Sequence, residues 1–377
     1  MTKLETISKL ESKLRPILVN LPSPFITSLY SNQKKKILKR LSEDYLNFDL
    51  NIVEFAPLKL WDINFAFPLF NSAGMFKKGE SYYTVAKQGA GAYLSGTTTS
   101  KYRKGNFKNG VLHPFAPFPN SGSAVNWMGL PNEGHSIVAK RLSLIEKFPN
   151  CPIGASLSSS PEESEIEALE NIVIGMDLYE KANVDFLEIN ESCPNVAEGH
   201  SVNNSSLDIG LVERLEYISK HFLKKRQRNI PVIVKFSNDT NLDLVSEIID
   251  ILINLGFDGV NFGNTSTQYN NLSSKIEQKE KKIYHYFTEN FGGGLSGSIL
   301  KSLSLKLVET ASDYLKTKNT KGEFLIIRTG GVDSPKELDL SLKSGAAICQ
   351  WYTAYFSDFA KYGHNIYNKY KTELKKF

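Results

Sequence analysis

Short apolar runs recur along this chain, and most of them lead into Gly, Ser, Thr or Asn. Helix-like patterns lie between many of these runs, for example over 211–223 and 242–255. This repeated strand-then-helix order predicts a parallel sheet. Eight strands with polar C-terminal ends predict an α/β fold of the (β/α)8, or TIM, barrel type; a doubly wound open sheet is the alternative, although no Gly-rich dinucleotide fingerprint follows the first strand. The predicted strands are 67–71, 91–95, 152–156, 185–189, 231–235, 259–262, 324–328 and 347–351.

A helical prefix precedes the first predicted strand. Leucine and isoleucine recur at helical spacing from Leu4 to Leu18, the prolines in 21–24 interrupt the pattern, and a second helix includes the basic segment 34–41. We therefore divide the chain into an N-terminal helical extension, residues 1–55, and a barrel domain, residues 56–377. The extension could cap the barrel with a solvated basic face, line a tunnel, or lie on a membrane surface.

One further segment, 273–289, is rich in lysine and glutamate. It follows the sixth predicted strand and carries no obvious strand pattern. We interpret it as a mobile loop, and a lid over the barrel mouth is one function for such a loop.

Composition narrows the possible environments. The formal net charge is +5 over 377 residues, which is weaker than the basic bias typical of a nucleic-acid binder. Cys151, Cys193 and Cys349 are far apart and form no metal-binding pattern. This cysteine usage favours a reducing, cytoplasmic location. No apolar run is long enough for a membrane span, and peripheral membrane contact through the N-terminal helices is a further option.

The segment 186–196 carries the most informative chemistry. An apolar run stops at Asn-Glu-Ser-Cys-Pro-Asn, which places the thiol of Cys193 between the carboxamides of Asn190 and Asn195 at a strand tip. Two amides can bind a planar ligand that has both donors and acceptors, and a thiol beside them can remove a proton. A lone cysteine is more often a small buried side chain in a turn, so this interpretation depends on the rest of the chain.

Glycine-rich segments follow the last strands, at 328–332 and 350–354, and a third lies at 291–297. Glycines allow a phosphate to approach the backbone closely, and the loops after strands seven and eight are the usual phosphate site of such barrels. Lys235 ends the fifth strand inside an apolar run, where a lysine is costly unless it pairs with an electron-rich group. Together these features predict a phosphate-bearing ligand at the barrel mouth.

At this point the chain resembles the dihydroorotate dehydrogenases, over about 58–357. The similarity is carried by Asn-Glu-Ser-Cys-Pro-Asn at 190–195, Gly-Gly-Leu-Ser-Gly at 293–297, Thr-Gly-Gly-Val at 329–332, and Asn126 with Met128-Gly129. The resemblance implies FMN across the barrel mouth with a pyrimidine stacked on it. It implies oxidation of dihydroorotate to orotate in de novo pyrimidine biosynthesis, with Cys193 as the base and Lys235 near the electron-rich edge of the flavin.

The resemblance also implies two sets of binding residues. The substrate set is Lys77, Asn126, Met128, Gly129, Leu130, Asn190, Asn195, Asn264 and Thr265. The cofactor set is Ala73, Gly74, Gly96, Ser156, Asn190, Lys235, Gly263, Ser296, Gly297, Gly330, Gly331, Tyr352 and Thr353.

The motifs mix two subclasses of the family. A cysteine base is typical of the soluble class, whereas the helical prefix, Gly96-Thr97 and Tyr352-Thr353 resemble the quinone-reducing class. We expect a quinone as electron acceptor, with fumarate or another soluble acceptor as the alternative. Two other functions stay open: another FMN-dependent pyrimidine reductase, similar to dihydropyrimidine dehydrogenase or tRNA-dihydrouridine synthase, and a non-catalytic flavin-binding protein, for which Glu191 and Ser156 are the only hints.

Overall fold

Eight parallel strands form the centre of the protein in a computed structural model that describes residues 1–191, 207–319 and 322–376. The strands lie side by side in the order β1, β8, β7, β6, β5, β4, β3, β2. The predicted (β/α)8 barrel is therefore confirmed. The strands are β1 (Leu69–Asn71), β2 (Tyr93–Thr98), β3 (Ile153–Leu157), β4 (Phe186–Asn190), β5 (Val232–Phe236), β6 (Gly259–Phe262), β7 (Leu325–Thr329) and β8 (Ile348–Trp351).

The ring closes between β1 and β2 through a few backbone hydrogen bonds, such as Gly91 N–H to the Leu69 carbonyl at 3.0 Å, and through one side chain. The Asn71 amide donates to the carbonyl of Leu94 at 2.7 Å, and its carbonyl oxygen accepts from the Leu94 N–H at 3.2 Å. A carboxamide offers the same donor and acceptor as a peptide group, so this side chain continues the strand pairing across the gap.

Helices surround the barrel and bury apolar faces against it. After the N-terminal pair α1 (Lys3–Leu18) and α2 (Ser23–Glu43), they are Tyr82–Gln88, His135–Leu142, Glu165–Lys181, Ile209–Ile218 continued by a π-helical turn Ser219–Leu223, Val245–Leu255, Tyr269–Ser273, Lys281–Asn290, Lys301–Leu315, Pro335–Lys343, Thr353–Tyr362 and Ile366–Leu374. Short 3-10 turns occur at Asp44–Leu46, Leu242–Leu244, Gln278–Glu280, Ser298–Leu300 and Gly363–Asn365.

The interior of the barrel is layered. At the N-terminal end the inward side chains are apolar, and the rings of Phe70 and Phe186 meet with centroids 5.9 Å apart. A hairpin, Leu58–Leu60 with Ile63–Phe65, covers this end and places Phe65 against Phe186. Toward the C-terminal ends of the strands the inward side chains become polar, so the barrel can present chemistry only at that mouth.

A three-stranded antiparallel sheet lies over the mouth. Its strands are Phe115–Phe118, Ser123–Asn126 and Gly294–Gly297, with the middle segment pairing to both neighbours. A small hairpin, Phe107–Lys108 with Val111–Leu112, precedes it. This sheet brings the loops after β2 and β6 together, although they are far apart in sequence.

The N-terminal helices pack on this mouth sheet. Ile26 and Tyr30 of α2 share a core with Phe118 and Val125, and the Phe115 N–H donates to Ser31 Oγ at 2.9 Å. None of the helices in the described part of the chain combines the length and the apolar character that a bilayer span requires. The extension is thus the predicted helical pair, with α2 forming part of the roof over the mouth.

The interpretation of 273–289 as a mobile loop is wrong. Helix Lys281–Asn290 occupies much of it, and Ile283, Tyr284 and Phe287 are buried in the core beneath the mouth sheet. Glu280 is fully buried and accepts hydrogen bonds from the backbone N–H groups of Asn120 at 2.8 Å and of the following serine at 3.0 Å. The lysines of the segment conceal this apolar stripe in the sequence, because they occupy its outer face.

Candidate active site

The C-terminal ends of the strands and the mouth sheet enclose a cavity, here called the mouth cavity. It is lined by sixteen of the twenty predicted site residues that lie in the described ranges: Ala73, Gly74, Lys77, Asn126, Met128, Leu130, Asn190, Lys235, Asn264, Thr265, Ser296, Gly297, Gly330, Gly331, Tyr352 and Thr353. Residues from nearly every strand end thus converge on one volume. Cys193 and Asn195 lie outside the described residues.

The other four predicted residues, Gly96, Gly129, Ser156 and Gly263, do not line this cavity. The three glycines have positive φ angles, and a side chain on any of them would overlap a neighbouring residue. Ser156 is buried behind the wall, with its Oγ 3.0 Å from Thr97 Oγ1. These residues shape the backbone or support a lining side chain, and their predicted ligand contacts stay predictions.

Carboxamides form a connected group on one side of the cavity. Asn264 Nδ2 donates to Asn190 Oδ1 at 3.2 Å, and Asn190 Nδ2 donates to Thr97 Oγ1 at 3.2 Å. Thr265 Oγ1, by contrast, is buried and has no hydrogen-bond partner among the described residues. A buried hydroxyl without a partner is costly, so a polar ligand atom in the cavity would stabilise this site.

A buried ion pair forms the floor of the cavity. Lys235 Nζ lies 3.5 Å from Glu188 Oε1, and the two side chains are only 3% and 0% exposed. The amides of Gln350 and Asn261 donate to the other carboxylate oxygen of Glu188, at 2.7 and 2.9 Å. Thr329 Oγ1 lies 3.0 Å from Gln350 Oε1. Lys235 Nζ also donates to Gln350 Oε1 at 3.3 Å, so the network fixes the ammonium beside a carboxylate whose other oxygen is held by two amides.

A glycine cradle forms another part of the cavity wall. Gly297, Gly330 and Gly331 have φ angles of 95°, 112° and 75°, which L side chains rarely adopt. A Cβ on Gly331 would lie 2.6 Å from the Cα of Lys301, so only glycine fits there. Helix Thr353–Tyr362 begins at the same place and adds its free N–H groups. Such a cradle suits a phosphate.

Sequence reasoning missed the partners of Lys235. Glu188, Asn261 and Gln350 each lie within an apolar strand and line or support the cavity floor. A buried charge within a strand is the one signal that could have identified Glu188, because Lys235 needs an anion of this kind. No comparable signal marks the two amides.

Glu191 has a structural explanation. Its carboxylate accepts two hydrogen bonds from Arg214, from Nε at 3.1 Å and from Nη2 at 2.9 Å. This ion pair joins the end of β4 to helix Ile209–Ile218, which follows it in the chain. Glu191 therefore gives no support to a loss of catalysis, since it points to a helix rather than into the mouth cavity.

A second cavity of about 380 Å³ lies between α1, α2 and the barrel. Its walls are mostly apolar, and it shares Lys34, Phe115, Tyr352 and Thr353 with the mouth cavity. A polar group at its edge links Tyr30 and Glu11, whose hydroxyl and carboxylate oxygens are 2.8 Å apart. The remaining lining residues include Ile7, Leu18, Leu29, Ile37, Pro117, Ala124, Phe356 and Phe359.

The fold and the mouth define a (β/α)8 barrel whose mouth carries a glycine cradle, a buried lysine and a group of carboxamides. The sequence model of the dihydroorotate dehydrogenase family matches residues 56–377. A dihydroorotate dehydrogenase (quinone) from Nautilia profundicola is 30% identical over 298 residues, covering 78% of this chain and 73% of that protein. The chain belongs to the dihydroorotate dehydrogenase family and is an oxidoreductase, which confirms the resemblance inferred from its motifs.

Two further comparisons agree. A dihydroorotate dehydrogenase (quinone) from Pseudoalteromonas atlantica is 24% identical over 319 residues, 84% of this chain and 88% of that protein. A crystal structure of DHODH from Eimeria tenella in complex with ferulenol superposes with a TM-score of 0.73 at 21% identity, covering 91% of this chain and 89% of that one. At this identity the superposition supports the fold alone.

Proposed function

We propose that this protein oxidises dihydroorotate to orotate, with FMN as cofactor and a quinone as electron acceptor. The observation that carries the proposal is the mouth cavity, where the linked amides of Asn190 and Asn264, the ammonium of Lys235 and the glycine cradle line one volume. A pyrimidine has alternating donors and acceptors along its edge, which carboxamides match. Lys77 lines the same cavity and would bind the carboxylate of the substrate.

The residues present fit FMN better than a dinucleotide. The cradle of Gly297, Gly330 and Gly331 lies against the Lys301 backbone and the helix that begins at Thr353, a setting that suits a terminal phosphate, and no dinucleotide fingerprint follows the first strand. Ala73 and Gly74 would contact the ring system. Lys235 would lie at the electron-rich edge of the flavin, where Glu188 holds it in position.

The chain's own residues would perform the proton chemistry and the electrostatics. Cys193, as a thiolate, would take the C5 proton of dihydroorotate. FMN, when bound, would accept the hydride that leaves C6. Lys235 would stabilise the negative charge that develops beside it, a role that needs a preorganised cation. The carboxamides would hold the substrate so that C5 faces the thiolate.

The second cavity would admit the quinone. Its apolar walls suit a lipophilic ring, and Tyr352 and Phe115 separate it from the mouth cavity. Both related proteins described above carry quinone in their names. Electrons would pass from the flavin in the mouth cavity to the quinone in the second cavity, across Tyr352 and Phe115.

The N-terminal helices would also contact a membrane surface, where quinones are found. Leu10, Leu14 and Ile17 of α1 are 59%, 44% and 68% exposed, and the exposed Leu21 and Phe25 continue this apolar stripe across the turn into α2. An exposed stripe of this length would bury itself in the interfacial region of a bilayer. The protein would then be peripheral, on the cytoplasmic side.

Anaerobic stopped-flow reduction tests the first half of the proposal. The purified protein should release FMN, not FAD, on denaturation, and dihydroorotate should bleach the flavin absorbance. Release of FAD would refute the assignment of the glycine cradle. Failure of dihydroorotate to reduce the bound flavin would refute the proposed substrate.

Reoxidation tests the second half. A variant with both Leu18→Gln and Leu29→Gln places two amides in the apolar cavity. It should slow reoxidation by a lipophilic quinone and leave reduction by dihydroorotate unchanged. Fumarate and oxygen serve as comparison acceptors. Equal quinone turnover in the parent and the variant would favour a soluble acceptor.

A further inference from the structure

A third cavity opens beside the mouth cavity, between α2 and the loops that follow β1 and β2. It has a volume of about 490 Å³ and shares Lys34, Gly74, Lys77 and Met128 with the mouth cavity. The two cavities therefore adjoin, with these four residues as their common wall. We call it the basic antechamber; its charged lining residues are Lys34, Lys35, Lys39, Lys77, Lys78, Glu80, Arg103, Lys104 and Glu133.

The charge of the antechamber is strongly one-sided. Seven lysine or arginine side chains and two carboxylates line it; outside the lining, Arg103 pairs with Glu162 and Lys39 lies 3.8 Å from Glu43, which leaves the lysines as the main source of the excess. Both carboxylates are already engaged. Glu133 pairs with Lys78 at 2.7 Å and with Arg141 at 2.8 Å, and Glu80 accepts from the backbone N–H groups of Lys77 and Lys78.

The cations also act on one another. Burial and repulsion from Lys77 lower the pKa of Lys34 to about 7. Burial and repulsion from Lys78 lower the pKa of Lys35. Burial, aided by Lys35, Lys77 and Lys34, lowers the pKa of His113 to about 4, although the ring donates a hydrogen bond to the Lys104 carbonyl, which opposes this shift. A bound anion would relieve this repulsion.

The solvent exposure of the cations decreases from the rim of the antechamber inward. Lys35, Lys78 and Lys104 are exposed at the rim, whereas Lys34 and Lys77 are partly buried where the antechamber meets the mouth cavity. Lys34 Nζ lies 3.2 Å from Met128 Sδ, a residue that lines both volumes. An anion that enters at the rim therefore meets cations along the path to the proposed substrate site.

We infer that the basic antechamber is the access route of the carboxylate substrate to the barrel mouth. This inference rests on the proposed function, because it takes dihydroorotate as the anion. The rim lysines raise the local concentration of the anion, and Lys34 passes it to Lys77. A cleft lined by one sign of charge speeds association by roughly ten- to a thousandfold, and salt suppresses the effect.

The test compares rates of flavin reduction at low and high substrate. A variant with Lys35→Glu and Lys104→Glu reverses two exposed rim charges. The matched control reverses two exposed charges away from the antechamber, Lys306→Glu on helix Lys301–Leu315 and Lys220→Glu in the turn Ser219–Leu223. At about 20 mM salt the double variant should lose roughly tenfold in the second-order rate constant for dihydroorotate. Its limiting rate at saturating substrate should stay within twofold of the parent, which also reports intact folding.

Two comparisons make the outcome decisive. The deficit should close at about 500 mM salt, where charges are screened within a few ångströms. The methyl ester of dihydroorotate lacks the negative charge, so its second-order constant should not respond to the charge reversal. Equal second-order rate constants for the parent and the double variant at low salt would refute the antechamber as the access route and leave the proposed function intact. A parent flavin that dihydroorotate does not reduce would instead refute the proposed function.

Discussion

Replacing Lys235 with methionine should separate the two contributions of the buried ion pair. The substitution keeps the length of the side chain and removes its charge. Glu188 is then left fully buried, 0% exposed, with two amide donors and no cation. Removal of one partner from a buried pair costs about 3–5 kcal/mol, so we expect the free energy of unfolding to fall by that amount.

The double variant Glu188→Gln with Lys235→Met provides the control. It removes both charges, and the new amide can still accept from Asn261 and Gln350. Most of the lost stability should return, since replacing both partners of a buried pair is often neutral. Flavin reduction by dihydroorotate should remain roughly a hundredfold slow in both variants, the usual scale for losing one preorganised charge.

Two measurements decide the outcome. Guanidinium unfolding at saturating FMN gives the free energies, and anaerobic stopped-flow gives the reduction rates. Equal instability of the single and double variants would show that the unpaired charge is not the cause. Reduction at the parent rate in the double variant would show that Lys235 serves only the fold.

Three further changes address other parts of the molecule. Cys193→Ala should leave flavin binding intact and slow its reduction by roughly a hundredfold or more, and Cys193→Ser should recover activity at high pH; parent rates in the alanine variant would contradict its role as base. Lys34→Met should be more stable than the parent by at least about 1 kcal/mol near pH 6, because the pKa of Lys34 is lowered to about 7 and the folded state binds this proton more weakly than the unfolded chain. That gap should shrink as the pH rises from about 7 toward 10.5, and thermal unfolding across this range checks the sign. Glu280→Gln should cost about 1.5–3 kcal/mol, measured by chemical denaturation, because its charge strengthens the bonds from Asn120; an unchanged midpoint would contradict this.

The strands could be predicted from the sequence to within one or two residues at most boundaries. Each is a short apolar run bounded by a turn residue, and this pattern survives without tertiary information. The segment 231–235, for example, corresponds to β5 at Val232–Phe236. The convergence of Asn126, Asn190 and Asn264 was also accessible, because the C-terminal ends of parallel strands meet at one mouth.

The polar floor and the roof of the site could not be predicted in the same way. Glu188, Asn261 and Gln350 meet only because the closed ring brings three separate strands together. Lys34 belongs to a segment whose pattern suggests a solvated basic face. The direction of the Lys34 side chain depends on how α2 is rotated against the mouth sheet. The sheet is distant in sequence, so the local sequence of α2 does not indicate that rotation.

The closure of the barrel by Asn71 has a consequence for mutational tolerance. Backbone pairing accepts almost any side chain, so most seams between strands place few demands on chemical identity. At this seam backbone bonds such as Gly91 N–H to the Leu69 carbonyl are supplemented by one buried carboxamide that both donates to and accepts from Leu94. Aspartate could accept but not donate, and leucine could do neither. In a saturation library, position 71 should therefore tolerate far fewer residues than its neighbours in β1, because its side chain takes the place of a peptide group in the strand pairing.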